Sequence, residues 1–156
     1  MNTADRLRAH PFTAEFDAAH LALLAQHARV QQFARDAFIL RQNQEIHDFH
    51  LLCEGRVMLQ TRDARNRCIP VQTLRAGSTL GWSWLQPPYH SAFDARVLDA
   101  ATTVAIDAAA LRAAIEADHE FGFQFLQRTL KPLMSRLHAC RMQLADVYAH
   151  PLESSR

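Results

Sequence analysis

Hydrophobic and polar positions follow three rhythms along the chain. Leu21, Leu24, Ala25 and Ala28 recur at helical spacing behind Asp17, a residue type that caps a helix by accepting from backbone N–H groups. They predict one short helix over roughly residues 14–28. The residues before it, 1–11, show no such period and read as a flexible N-terminal tail. From about residue 30 to 106 the rhythm shortens to two. Val57, Leu59 and Thr61 share one face of a strand; Phe93, Ala95 and Val97 share a face of another, with Asp94 and Arg96 opposite. Turn-forming residues cluster at Arg41–Gln44, Glu54–Gly55, Asp63–Asn66, Ala76–Ser78 and Gln86–Pro88. Many short strands at near-regular spacing predict an α+β, mainly β fold, a sandwich or roll rather than β-α-β units.

The third rhythm begins at Asp107, which caps an amphipathic stretch carrying Leu111 and Ile115; Asp118 can cap the next. Leu126, Leu130, Leu133, Leu137, Cys140, Leu144 and Val147 are then separated by 4, 3, 4, 3, 4 and 3 residues. A helix packed on its own domain is one explanation. A 3.5-residue repeat held this long points more strongly to a homodimer interface between two such helices. Pro132 lies inside the repeat and should kink the helix or restart it near residue 131, since it lacks an N–H. Cys140 would face its own symmetry mate, where only oxidation would join the two thiols.

Composition narrows the classes. The chain has 156 residues, 49% hydrophobic and 21% charged, with a formal net charge of +1. This is ordinary globular composition, with no strong field for DNA or an anionic membrane. No apolar run is long enough for a membrane span and the N-terminus is not a signal peptide, so the expected location is cytoplasmic. Three cysteines, Cys53, Cys68 and Cys140, form no closed disulfide framework and agree with a reducing compartment.

Several segments, taken in order, resemble the effector half of the catabolite-activator/FNR family, which carries cyclic-nucleotide-binding domains. Phe38-Ile39-Leu40-Arg41-Gln42-Asn43 is similar to its "hydrophobic, Arg, Gln, Gly" turn. Asn43 replaces the glycine there, as the next residue type to tolerate positive φ. His50-Leu51-Leu52-Cys53-Glu54-Gly55-Arg56-Val57 resembles its "Tyr, Leu, Leu, x, x, Gly, x, Val" hairpin. Ala76-Gly77-Ser78-Thr79-Leu80-Gly81 resembles the start of its phosphate-binding cassette, and residues 133–148 its central helix. The resemblance runs from about Phe12 to Tyr148. It implies a jelly-roll-like β-roll, or double-stranded β-helix, over 12–118. Short helices would flank the roll, C-terminal helices including a long dimerisation helix would occupy 119–149, and 150–156 would form a tail. It also implies a cyclic nucleotide or other small ligand; the residues establish no cofactor.

In that family a short helix N-terminus and an arginine hold the cyclic phosphate, while a glutamate after the cassette glycine takes the ribose hydroxyl. The physical demand is for N–H donors and a guanidinium on the anion, and a carboxylate on the hydroxyl. Here Trp82 follows Gly81, and the arginine position falls near Ser91 with His90 beside it. Losing a charged hydrogen bond costs about 1.5–3 kcal/mol, roughly ten- to a hundredfold in affinity, so cAMP should bind weakly or not at all. Two alternatives remain for this segment. Trp82 and Trp84 are either the filling of the old pocket, in a ligand-free interaction module, or its lining. In the second case Gly81, Trp82, Ser83, Trp84, Tyr89, His90 and Ser91 form an aromatic site for a flat or apolar ligand.

Other constellations carry less. His47-Asp48-Phe49-His50 has HxxH spacing, but in a turn leading to a strand the rings need not converge on a metal. Haem sensing stays open as an alternative, although no Cys-x-x-Cys-His occurs. Three cysteines do not make a four-cysteine iron–sulfur site. No nucleophile elbow, P-loop or paired-carboxylate motif points to an enzyme. The chain stops at Pro151–Arg156 with no helix-turn-helix, which predicts no direct sequence-specific DNA binding. The reading is a naturally short sensor domain that signals through a helical homodimer to a protein partner.

Overall fold

The computed structural model describes residues 1–149; the expected tail at 150–156 lies outside them. The chain divides into two compact units, Met1–Ala114 and Ile115–Arg156. In the first, helices α1 (Thr3–Ala9) and α2 (Ala18–Gln26) precede six strands. These are β1 (Ala28–Phe33), β2 (Phe38–Leu40), β3 (Asp48–Arg62), β4 (Cys68–Arg75), β5 (Thr79–Leu80) and β6 (Asp94–Asp107). The strands are antiparallel in the order β1-β6-β3-β4, with β2 added to β6 and β5 to β3. Helices α3 (Ala108–Ala117) and α4 (His119–Ala149) follow. This is the mainly β, roll-like architecture with a long C-terminal helix that the residue pattern implies.

Several elements differ from expectation. The segment read as a flexible tail forms α1, capped where the Asn2 side chain accepts from the Asp5 N–H at 2.9 Å. Leu7 is buried, so this helix is held by tertiary packing that a seven-residue periodicity is too short to reveal. The short strands around Val57 and Ala95 are halves of two long strands, β3 and β6, of 15 and 14 residues.

β3 and β6 pair from Asp48–Asp107 to Gln60–Asp94, with register shifts between Leu52 and Val57. Gly55 lies at that irregularity rather than closing a hairpin. Its φ is +90°, and a Cβ there would lie 2.5 Å from the Ala100 carbonyl oxygen and 2.8 Å from the Ala101 Cα. An extra residue in one strand bends it and sharpens its twist, and glycine permits both the dihedral and the close approach. Inside the bend, Leu52, Val57, Leu59, Leu74, Leu80, Ala95, Val97 and Ala101 form one apolar cluster.

Three helix caps are those predicted from the residue pattern. Asp17, Asp107 and Asp118 accept from the N–H groups of His20, Ala110 and Phe121 at 2.8, 2.7 and 3.0 Å. α4 runs unbroken through Pro132 and does not restart there. In the second unit Phe121 and Phe125 are fully buried with ring centroids 5.8 Å apart.

Gly55→Ala should destabilise the domain by roughly 2–4 kcal/mol, the sum of a positive φ and a backbone clash. Urea denaturation of the purified variant measures this; an unchanged midpoint would remove the bend from the determinants of the fold.

Candidate functional site

Gly81 carries the chain from β5 into a single 3-10 turn, Trp82–Trp84. Its φ is +92°, and a Cβ would lie 2.9 Å from the Asp48 carbonyl oxygen. The turn therefore presses against the start of β3, and the two indoles leave it toward a small aromatic group. Trp82 lies edge-on to Phe12 at 6.4 Å and tilted on Phe49 at 5.2 Å. Trp84 is 1% exposed and tilted on Phe49 at 5.9 Å. The Trp82 indole N–H is buried with no hydrogen-bond partner. Ser83 sits between them, half-buried.

Tyr89, His90 and Ser91 are positioned by other contacts. The Tyr89 carbonyl accepts from the Ile46 N–H at 2.7 Å, and its φ is +59°. The Arg112 guanidinium of α3 lies 4.2 Å over the Tyr89 ring and donates to the Trp84 carbonyl at 2.6 Å. His90 is exposed and bridges to Glu45 through the backbone. Ser91 exchanges backbone bonds with Asn43 and Gln44, and its hydroxyl donates to the Phe93 carbonyl at 2.6 Å. The seven expected residues thus fall into two groups, Gly81–Trp84 against the start of β3 and Phe49, and Tyr89–Ser91 along the β2–β3 turn. Ser91 lines a cavity of about 220 Å³ with the residues of that turn.

The residue pattern missed one charged cluster here. Asp94 was assigned to the outer face but is 2% exposed. One carboxylate oxygen accepts from the Gln42 N–H at 2.9 Å. Arg41 and Arg62 flank it at 3.9 and 3.7 Å, and the Gln42 amide bridges Thr61 and the Arg62 N–H at 3.1 Å each. The cluster ties the ends of β2, β3 and β6 together. Asp94 keeps the alternation of β6, opposite to Ala95 and Val97, and is buried because Arg41, Gln42 and Arg62, distant in the chain, cover it. Arg112, Phe12 and Phe49 likewise reach this segment from distant positions with no local signal. Arg96 is half-exposed and lies 3.5 Å from Asp36, as its outward assignment requires.

On α4 the repeat positions Leu126, Leu130, Leu133, Leu137, Cys140, Leu144 and Val147 are all exposed in the single chain. Leu137 is 54% and Val147 68% exposed. Among the described residues no helix is long and apolar enough to cross a membrane, and no three metal-ligating side chains are arranged to hold an ion.

A bent antiparallel roll, a glycine-opened 3-10 turn between its strands, and a long helix after them are the elements of a cyclic-nucleotide-binding type of fold. Residues 30–118 match the sequence family described as "Cyclic nucleotide-binding domain", and the chain belongs to that family. No curated protein matches it. A candidate cyclic nucleotide-binding protein from Geobacter metallireducens GS-15 superposes with a TM-score of 0.77 and 27% identity, covering 88% of this chain and 100% of that one. The N-terminal domain of a transcriptional regulator from Streptomyces coelicolor A3(2) gives a TM-score of 0.67 at 18% identity, covering 87% and 95%. The regulatory subunit of a cAMP-independent protein kinase A from Trypanosoma brucei gives 0.66 at 20%, covering 81% of this chain and 45% of that one. The last two likenesses concern the fold.

One buried group gives the fold a measurable pH dependence. His50 is 3% exposed, its Nδ1 3.2 Å from the Thr103 hydroxyl. Burial pushes its pKa down from 6.5 to about 4, with Asp48 opposing and Arg29 assisting. The folded state keeps the ring neutral while the unfolded chain takes up a proton. Stability is therefore complete above the unfolded value of 6.5 and is lost as pH falls toward about 4, by up to about 3 kcal/mol. Burial lowers the His10 pKa in the same direction. Denaturation at stepped pH should show this slope, and His50→Gln should flatten it; an unchanged slope in the variant would acquit His50.

Proposed function

We propose that this chain is a regulatory sensor module, not an enzyme. It takes a small ligand at the cassette segment Gly81–Ser91 and signals through a homodimer formed along α4. Its response passes to a protein partner. The observation that carries this reading is the seven-position apolar repeat on α4, exposed from Leu126 to Val147. A second copy in parallel or antiparallel register would bury that stripe, and burying a large aliphatic side chain is worth about 1.5–3 kcal/mol. A ligand at the cassette would act by favouring one packing of the paired helices over another.

The ligand is not cAMP held by the usual contacts. Trp82 stands where those contacts require a carboxylate, and its ring is committed to Phe12 and Phe49. His90 and Ser91 stand where they require a guanidinium, and the Ser91 hydroxyl is committed to Phe93. A ligand-free interaction module is favoured by a different observation, the closed apolar cluster within the roll. A thermal-shift screen of cyclic nucleotides and small metabolites separates the two, since only the sensor gains stability. A visible spectrum of the purified protein tests the haem alternative through its Soret band.

Calorimetry on nucleotide-free protein should show no submicromolar cAMP binding; a tight isotherm would overturn the assignment of the cassette. Light scattering at micromolar concentration should give a dimer. Leu137→Asp places an unpaired charge in the seam and should raise the dissociation constant by roughly a hundredfold or more. A monomeric wild type, or an unaffected variant, would remove the seam from the mechanism.

A further inference from the structure

The leucine stripe does not account for all the apolar surface of α4. Met134, Met142 and Tyr148 lie outside it and are 67%, 52% and 82% exposed. Lys131, Met134, His138, Arg141, Ala145 and Tyr148 are separated by 3, 4, 3, 4 and 3 residues. They form a second column that follows the helix beside the stripe, with Met142 at its edge. All of these side chains are exposed in the single chain. When Leu130, Leu137 and Leu144 are set against a second helix, together with Leu133, Cys140 and Val147, this column falls on the flanking positions that a two-stranded pair leaves largely open.

Its composition is that of a contact surface. Tyrosine, methionine and arginine are enriched in protein–protein interfaces, and methionine adapts to partners of differing shape. Its charge has one sign. Between Glu120 and Asp146 the helix carries Arg128, Lys131, Arg136 and Arg141 and no acidic residue. An occupant must therefore offer apolar side chains bordered by carboxylates. A second α4 laid on this column would bring the same cations, and like charges facing one another oppose association. A membrane surface is a poorer match. Helices that lie in the lipid interface present Trp, Phe or Leu on the apolar side, and here the leucines belong to the seam.

We propose that this column is the surface on which the protein partner docks, and that the partner presents an acidic amphipathic helix to it. Apolar side chains of that helix lie on Met134, Met142 and Tyr148. Its carboxylates pair with Lys131 and Arg141. The assignment rests on the reading of Leu126 to Val147 as the dimer seam, which takes the leucines and leaves the column outward.

The probe is a fluorescein-labelled helical peptide with leucines along one side and glutamates flanking them. Its controls are the same peptide with lysine for every glutamate and a scrambled peptide of the acidic composition. By fluorescence anisotropy the acidic amphipathic peptide should bind the full chain saturably, and both controls at least roughly tenfold more weakly. Met134→Ala and Tyr148→Ala, at exposed positions, should each weaken binding by roughly fivefold or more, while light scattering still gives the wild-type mass. Arg141→Glu should move the preference toward the lysine peptide. Absence of saturable binding, equal binding of either control, or indifference to both alanine variants would overturn the proposal. So would a lower mass for Tyr148→Ala, which assigns the column to the second copy. Capture by phosphatidylserine vesicles without binding of the peptide would overturn it in favour of a membrane. A monomeric wild type overturns the seam alone; peptide binding that then depends on Met134 and Tyr148, and not on Leu137, supports the column, and the reverse dependence overturns it.

Discussion

The antiparallel pairing of β3 with β6 is the constraint from which the rest of the first unit follows. Both strands are long enough to bend, and every other strand attaches to one of them. The bend requires Gly55, whose bare backbone approaches Ala100 and Ala101 more closely than any side chain allows. On either side of that point the ladder continues in shifted register. Val57 and Leu59 consequently lie beside Val97 and Ala95 on the face that joins the apolar cluster. The same bend carries Gln60 and Asp94 to one end of the roll and His50 and Ala105 to the other.

The cassette segment is held from outside this interior. Its glycine presses on the start of β3, its indoles rest on Phe49, and Phe12 reaches Trp82 from the N-terminal segment. Arg112 then fastens both Trp84 and Tyr89 to α3. A guanidinium over a ring and on a carbonyl at once holds a segment more firmly than either contact alone. The indole of Trp82 thus makes this position part of an aromatic group with Phe12 and Phe49.

Helix α4 presents the converse case, an element whose regular pattern lacks a partner in the single chain. Its cap at Asp118 and its continuity through Pro132 are satisfied locally. Its apolar stripe is not, because Leu130, Leu137 and Leu144 remain about half exposed. Exposed apolar surface of this extent marks interaction sites in soluble proteins. The basis for the proposed homodimer is this unsatisfied stripe together with its seven-residue period.

Local order was legible in the residues themselves. Asp17, Asp107 and Asp118 announced three helix starts because a cap is a contact between residues three apart. Val57 with Leu59 and Ala95 with Val97 announced inward faces because alternation is a property of one strand, and the 4–3 spacing announced the long helix α4. The tertiary structure decided what depends on contacts distant in the chain. Leu7 made a helix of an apparent tail, Arg41, Gln42 and Arg62 covered Asp94, and Phe12, Phe49 and Arg112 converged on the tryptophans. Periodicity records which side of an element is apolar. Where a strand bends or a turn closes, the neighbour that meets that side is chosen by the whole chain.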